Sequence, residues 1–219
     1  MFGADHSLVA TARIWLGVLL RDQGGHLDEA DRQLRAALEV YRRKLPENHD
    51  SIARCLNNLG WVLLDKGVFE EAERYLREAT DIFRKQHPDG HCDDGHPRLG
   101  LARMALARGD AQGAETLASG VVSDWSRFYP ADHWNRALAA SIHGECLSAL
   151  GRFEEASPVL QASYETMAAQ RGPTDRYVRE ALERIEGLYA AWGKPEEAAA
   201  HRARAKESRV TNRTPVGAP

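Results

Sequence analysis

The chain predicts an all-α solenoid of about five helix-turn-helix repeats, and two recurrences carry that prediction. Ala30, Ala72, Ala114, Ala156 and Ala198 stand 42 residues apart without drift, and Gly25, Gly67, Gly109, Gly151 and Gly193 keep the same spacing five residues ahead of them. A fixed period of this length marks an array whose units bury their apolar faces by stacking on one another. Such arrays mostly present surfaces, so the recurrences point to binding rather than catalysis.

The first repeat, about residues 6–48, carries one extra residue at Gly24 and Gly25 and has Arg13 where the second repeat has Leu56. The second, about 49–90, is the clearest. Its first helix, about 50–66, sets Leu56, Leu59, Gly60 and Leu63 at i, i+3, i+4 and i+7, one face of a helix. Gly67 ends it, because glycine adopts the left-handed conformation beyond a helix end without a Cβ penalty. The second helix opens with Glu70 and Glu71, where carboxylates favour the positive end of the helix dipole. The same acidic pair recurs as Asp28 and Glu29, Glu154 and Glu155, and Glu196 and Glu197. Ala72 follows because two helices joined by so short a turn cross closely, so it should face the small Gly60.

The third repeat, about 91–132, replaces the acidic pair by Gln112 and Gly113 and has a shortened first helix, about 97–108, behind a loop over 87–96. The fourth, about 133–174, returns to the pattern. In the fifth, about 175–207, Arg202 stands where the other second helices carry leucine, and a polar last helix suits a solenoid that ends in water. The solenoid is expected over 1–208 as one domain. Residues 209–219, polar and without period, read as a disordered tail.

The order Leu59, Gly60, Leu63, Gly67, Ala72, Leu76 and Ala79 resembles the tetratricopeptide repeat, which implies antiparallel helix pairs in a right-handed superhelix. The period of 42, the Leu56, Asn57, Asn58, Leu59 core and the turns Pro46 to His49, Pro88 to His91 and Pro130 to His133 are similar to the kinesin light-chain type. The segments ECLSALGRFEEA and EGLYAAWGKPEEAAAHR are similar to the C-terminal repeat regions of bacterial serine/threonine protein kinases, although no kinase segment is present. The resemblance implies a protein-binding scaffold or adaptor in bacterial signalling, with the ligand in a concave groove lined by first helices. Mapped by alignment, the groove positions are Ile14, Trp15, Val18 and Arg21; Arg54, Asn57, Asn58, Trp61 and Asp65; Leu99 and Arg103; Ser141, Ile142 and Glu145; Glu183 and Arg184. Asn57 and Asn58 are weak helix formers whose amides can pair with an extended peptide backbone. The family's carboxylate clamp is not matched, because Ile14 stands where its first lysine would be.

Composition excludes several classes. With 29 basic residues against 32 acidic ones, interspersed, nothing suits phosphate binding, so no nucleic-acid partner is expected. No apolar run is long enough to cross a bilayer and no leader pattern opens the chain, which makes a cytoplasmic protein without membrane contact the expectation. Cys55, Cys92 and Cys146 lack paired spacing and read as free thiols. Two constellations could carry chemistry instead. His87, His91, Cys92, Asp93, Asp94 and His96 offer metal-ligand types, but His91 is the recurrent turn histidine and the rest are loop residues. His143 and Cys146 share a helix face, as a base and nucleophile would, yet His143 occupies a leucine slot and reads as core. No cofactor, metal or catalytic residue is therefore expected, with a metal or thiol enzyme as the alternative reading. A homodimer through the apolar N-terminal face is a further one.

Overall fold

The computed structural model describes residues 7–211, with side chains through residue 203. Ten α-helices and one 3₁₀ turn make up the described residues, with no strand among them. They are α1 (Ser7–Gln23), α2 (Leu27–Lys44), α3 (Asp50–Asp65), α4 (Phe69–Gln86), the 3₁₀ turn Cys92–Asp94, α5 (Gly95–Ala107), α6 (Ala111–Trp125), α7 (Trp134–Ala149), α8 (Phe153–Arg171), α9 (Arg176–Ala191) and α10 (Pro195–Thr211). Two expected boundaries shift. The first helix of the third repeat begins at Gly95, because the 3₁₀ turn feeds directly into it and Pro97 sits in its first turn, where a missing N–H costs nothing. At the other end α10 continues through Thr211, so residues 209–211 of the expected tail are helical, and 212–219 lie outside the described residues.

The recurrent glycine closes the first helices by one motif. Gly67 has φ 76°, its N–H reaches Leu64 O at 3.1 Å, and the Val68 N–H reaches back to Leu63 O at 2.9 Å. Arg152 to Leu147 (2.9 Å) and Lys194 to Tyr189 (2.8 Å) repeat that second bond at the later turns. Carbonyls left open at the ends of α3, α7 and α9 are thereby satisfied.

Starts of the first helices recur as well. The Nδ1 atoms of His49, His91 and His133 accept the backbone N–H two residues on, from Ser51 (3.0 Å), Asp93 (3.1 Å) and Asn135 (3.1 Å). Where the fourth histidine would fall stands Asp175, which accepts from Tyr177 at 2.9 Å. The recurrent turn residue is thus an N-cap, and imidazole or carboxylate can fill it.

The chain divides into two compact units, residues 1–109 and 110–219. In the first, α1, α3 and α5 lie side by side, and α2 and α4 pack against them. Leu34, Ile52, Leu56, Leu59, Leu63, Leu76, Phe83 and Leu99 are at most 1% exposed. Leu34 and Leu76 fill notches made by glycine: a Cβ on Gly17 would lie 2.7 Å from Leu34 Cγ, and one on Gly60 2.6 Å from Leu76 Cγ. Gly60 also lies 3.5 Å, from that same Cβ position, from the Ala72 carbonyl, the crossing expected of the small pair. Ion pairs tie the second helices together, Arg35 to Glu71 and Arg42 to Glu78, each at 2.6 Å.

In the second unit α7 packs against α6, α8 and α9, and α9 against α8 and α10. Trp125, Leu138, Ile142, Leu160, Met167 and Ile185 form its buried interior. Leu160 meets Gly144 as Leu76 meets Gly60, at 2.8 Å from a Cβ placed there. The last pair departs from this rule, and the slot is filled by Glu186 and Arg202, whose Nε lies 2.8 Å from Glu186 Oε1.

Candidate protein-binding surface

The expected surface is best developed on the first-helix layer of the first unit. Trp61, on α3, lies between two guanidinium groups, Arg21 of α1 at 5.0 Å and Arg103 of α5 at 5.5 Å from the ring centroid. Cations over an indole face are drawn by its quadrupole, and these two arginines cover the ring to 6% exposure. Arg21 Nε also donates to Asp65 Oδ2 at 2.7 Å, with both side chains almost out of solvent. Arg54, one edge away, is exposed and pairs with Asp93 at 2.6 Å, and that hydrogen bond holds its proton more firmly than usual. Ile14, Val18, Asn57 and Asn58 are half-buried on the same layer. The Asn57 side-chain oxygen is buried without a hydrogen-bond partner. A buried acceptor left open costs stability.

Three expected positions fall elsewhere. Leu99 and Ile142 have no accessible surface and belong to the cores of their units, because the shortened α5 and the tightly packed α7 turn these side chains inward. Neither can line a groove. Trp15 is 70% exposed but points to a different side of α1, in line with Leu8 and Leu19 rather than with Ile14 and Val18. In the second unit the polar candidates satisfy one another: Arg184 is 7% exposed and donates to Glu145 (2.7 Å), Glu180 (3.2 Å) and Ser141 (3.4 Å). Glu183 is exposed. The stacking of Arg21 and Arg103 on Trp61 was not legible in the sequence, since the three belong to three repeats and periodicity does not say which side chains meet across them.

The two constellations that could carry chemistry are otherwise occupied. His91, Cys92 and Asp93 bring ligand-type atoms within 4.8 Å of one another. Yet His91 Nδ1 is the N-cap acceptor, its ring stacks on His87 at 4.3 Å and on Phe83 at 5.9 Å, and Asp93 neutralises Arg54. His87 is held by Asp50 at 2.9 Å, and burial pushes His96 down to about 4. Binding a metal here would uncap the 3₁₀ turn that leads into α5 and strand the Arg54 guanidinium. His143 turns its Nε2 to Glu115 of α6 at 3.2 Å, while burial pushes the Cys146 thiol up to about 12. A thiol so held is protonated at neutral pH and is a poor nucleophile. Cys55 is likewise pushed to about 12, and its Sγ–H reaches the Leu34 carbonyl at 3.4 Å.

Antiparallel helix pairs with a period of 42 residues, a glycine notch, a crossing alanine and a capped start define a helical repeat fold. Residues 2–85, the first two pairs, match the family model described as tetratricopeptide repeat. Among solved structures it resembles the nearly identical TPR-like repeats of a putative kinesin light chain from Podosopora anserina, with 20% identity over 95% of this chain and 99% of that one and a TM-score of 0.66. It also resembles BtubC (BKLC) from P. vanneervenii, with 16% identity, 97% and 84% coverage and a TM-score of 0.71. A Rap protein complexed with Competence and Sporulation Factor superposes with 17% identity and a TM-score of 0.76, over 90% of this chain and 53% of that one. At these identities the likeness concerns the fold. No curated protein matches the chain. Among the described residues no helix is long and apolar enough to cross a membrane.

Proposed function

We propose that the chain is a non-catalytic scaffold that binds an extended protein segment along the first-helix layer of its first unit, as part of a bacterial signalling assembly. The observation that carries this reading is Trp61 held under Arg21 and Arg103, with the open acceptor of Asn57 on the same helix. Ile14 and Val18 suit apolar side chains, Arg54 and Arg103 suit carboxylates, and the Asn57 and Asn58 amides suit a peptide backbone. The ligand is therefore an unstructured segment mixing apolar and acidic residues. The signalling context rests on the resemblance of ECLSALGRFEEA and its neighbours to kinase-linked repeat regions, and the peptide-like ligand is in keeping with the Rap protein bound to its factor.

The test is a display screen of disordered peptides against the intact chain, followed by titration of the winners. Asn57→Ala should weaken binding about fivefold, the worth of one neutral hydrogen bond, with the melting curve unchanged or slightly raised. Double charge reversal, Arg54→Glu with Arg103→Glu, should abolish it. Winners that are basic, or that bind the reversed chain equally well, would sink the assignment. Trp61→Ala is a poor probe of affinity alone, because the ring is nearly buried and its loss also unstacks two arginines.

A further inference from the structure

The exposed side of α1 carries Leu8 (58% exposed), Trp15 (70%), Leu16 (41%) and Leu19 (53%), four of the six large exposed apolar side chains among the described residues. With Ala12 they form one stripe, since steps of 4 and 7 residues return to the same helix face. The stripe contains no charged residue. Aligning Gly17 with Gly60 sets Ala12, Leu16 and Leu19 in the slots of Cys55, Leu59 and Val62, all 0% exposed on α3. In α3 that side is covered by α2. The equivalent side of α9, at Ala181, Ile185 and Leu188, is at most 1% exposed, and α9 packs on α8. The α1 stripe thus leaves exposed the side that α3 and α9 bury, and an exposed contiguous patch of this kind marks an interaction site.

We propose that this stripe is covered by the same stripe of a second copy, in an antiparallel α1–α1 dimer. Self-complementarity selects the occupant. Leu8 and Leu19 lie at the ends of the stripe and Ala12 and Trp15 flank its middle, so a twofold axis there sets Leu8 of each copy against Leu19 of the other. The two Trp15 rings then meet beside the axis, and the small Ala12 lets the helices approach. Between Leu8 and Leu19 the stripe is uncharged, so the twofold brings no like charges together within it. Each copy contributes roughly 450 Å² of apolar side chain, below the roughly 800 Å² per partner of a stable complex, so the dimer is concentration-dependent.

Sedimentation equilibrium of the full chain over a wide concentration range reads the association. The wild type should pass from monomer to dimer and stop there. Trp15→Glu should weaken association about 30-fold or more, the effect of losing an aromatic anchor, and leave the circular dichroism and melting curve unchanged because the side chain is largely in solvent. Orientation is read separately by cross-linking in a Cys92→Ser background. Ala12→Cys, close to the axis, should oxidise to a covalent dimer, whereas Leu8→Cys should not, its two copies lying ~16 Å apart along the helices. A wild type that stays monomeric to its solubility limit, a dimer indifferent to Trp15→Glu, cross-linking through Leu8→Cys in place of Ala12→Cys, or a foreign helical chain bound to the stripe would each overturn the proposal.

Discussion

The second and fifth helix pairs solve one packing problem in opposite ways. Where α3 crosses α4, Gly60 leaves a notch that Leu76 fills completely, and Leu76 is so placed that it also meets Gly100 of α5. Where α9 crosses α10, the same two slots hold Glu186 and Arg202, joined by a salt bridge of 2.5 Å with the guanidinium about half exposed. An interior crossing is covered on both sides and needs tight apolar packing, because a void or an unpaired charge there has no solvent to relieve it. The last crossing is wetted, so a screened ion pair suffices. Position in the stack, rather than the repeat pattern, decides which chemistry fills the slot.

The largest expected effect tests the interior notch. Gly60→Ala would place a methyl group 2.6 Å and 2.7 Å from Leu76 Cγ and Cδ2. Overpacking of this kind costs about 3 kcal/mol, and the better helix propensity of alanine returns about 1, so a net loss of about 2 kcal/mol should appear in chemical denaturation. An unchanged midpoint would mean that the notch is loose.

Next come the caps, His49 in the second pair and Asp175 in the fifth, which make the same bond. His49→Ala should cost about 1 kcal/mol, and His49→Asp should recover most of it. Equal losses in both variants would show that the ring acts by packing and not by capping.

The acid response of the second pair should be smaller at neutral pH but distinctive. The Arg35 guanidinium, by hydrogen bond and charge, holds the Glu71 carboxyl at about 2, against an ordinary 4.5. A carboxyl lowered on folding contributes stability that is present above the ordinary value and is lost as pH falls from 4.5 toward 2. Glu71→Gln should flatten that stretch of the pH–stability curve, and a curve identical to the wild type would remove the α2–α4 ion pair as its cause.

The smallest effect belongs to the fifth pair. Glu186→Ala should change stability by less than about 1 kcal/mol, and high salt should erase the difference, as for any exposed ion pair. A loss comparable to that of Gly60→Ala would end the contrast between the two crossings.

Much of the architecture was legible in the residues because each repeated feature answers a local requirement. The turn glycines need positive φ, the first-turn acids meet a helix dipole, and the crossing alanines leave room for a close neighbour. The candidate surface was legible only in part. Ile14, Val18, Asn57 and Asn58 are half-buried on the first-helix layer, whereas Leu99 and Ile142 are interior and Trp15 is exposed on another side of α1. An aligned slot gives a direction around the helix axis, and that direction is core or surface according to what packs there.

The amino-acid sequence by itself determined the period, the helix pairs and the turns between them, since all of these follow from local conformational preference and apolar periodicity. Only the tertiary structure decided that Trp61 is roofed by Arg21 and Arg103, that His91 caps a helix, and that the α1 stripe is left open while its counterpart on α3 is covered. Each of these depends on side chains brought together from different repeats. Exposure is a property of the neighbour as much as of the residue, and a sequence names the neighbour only through the fold.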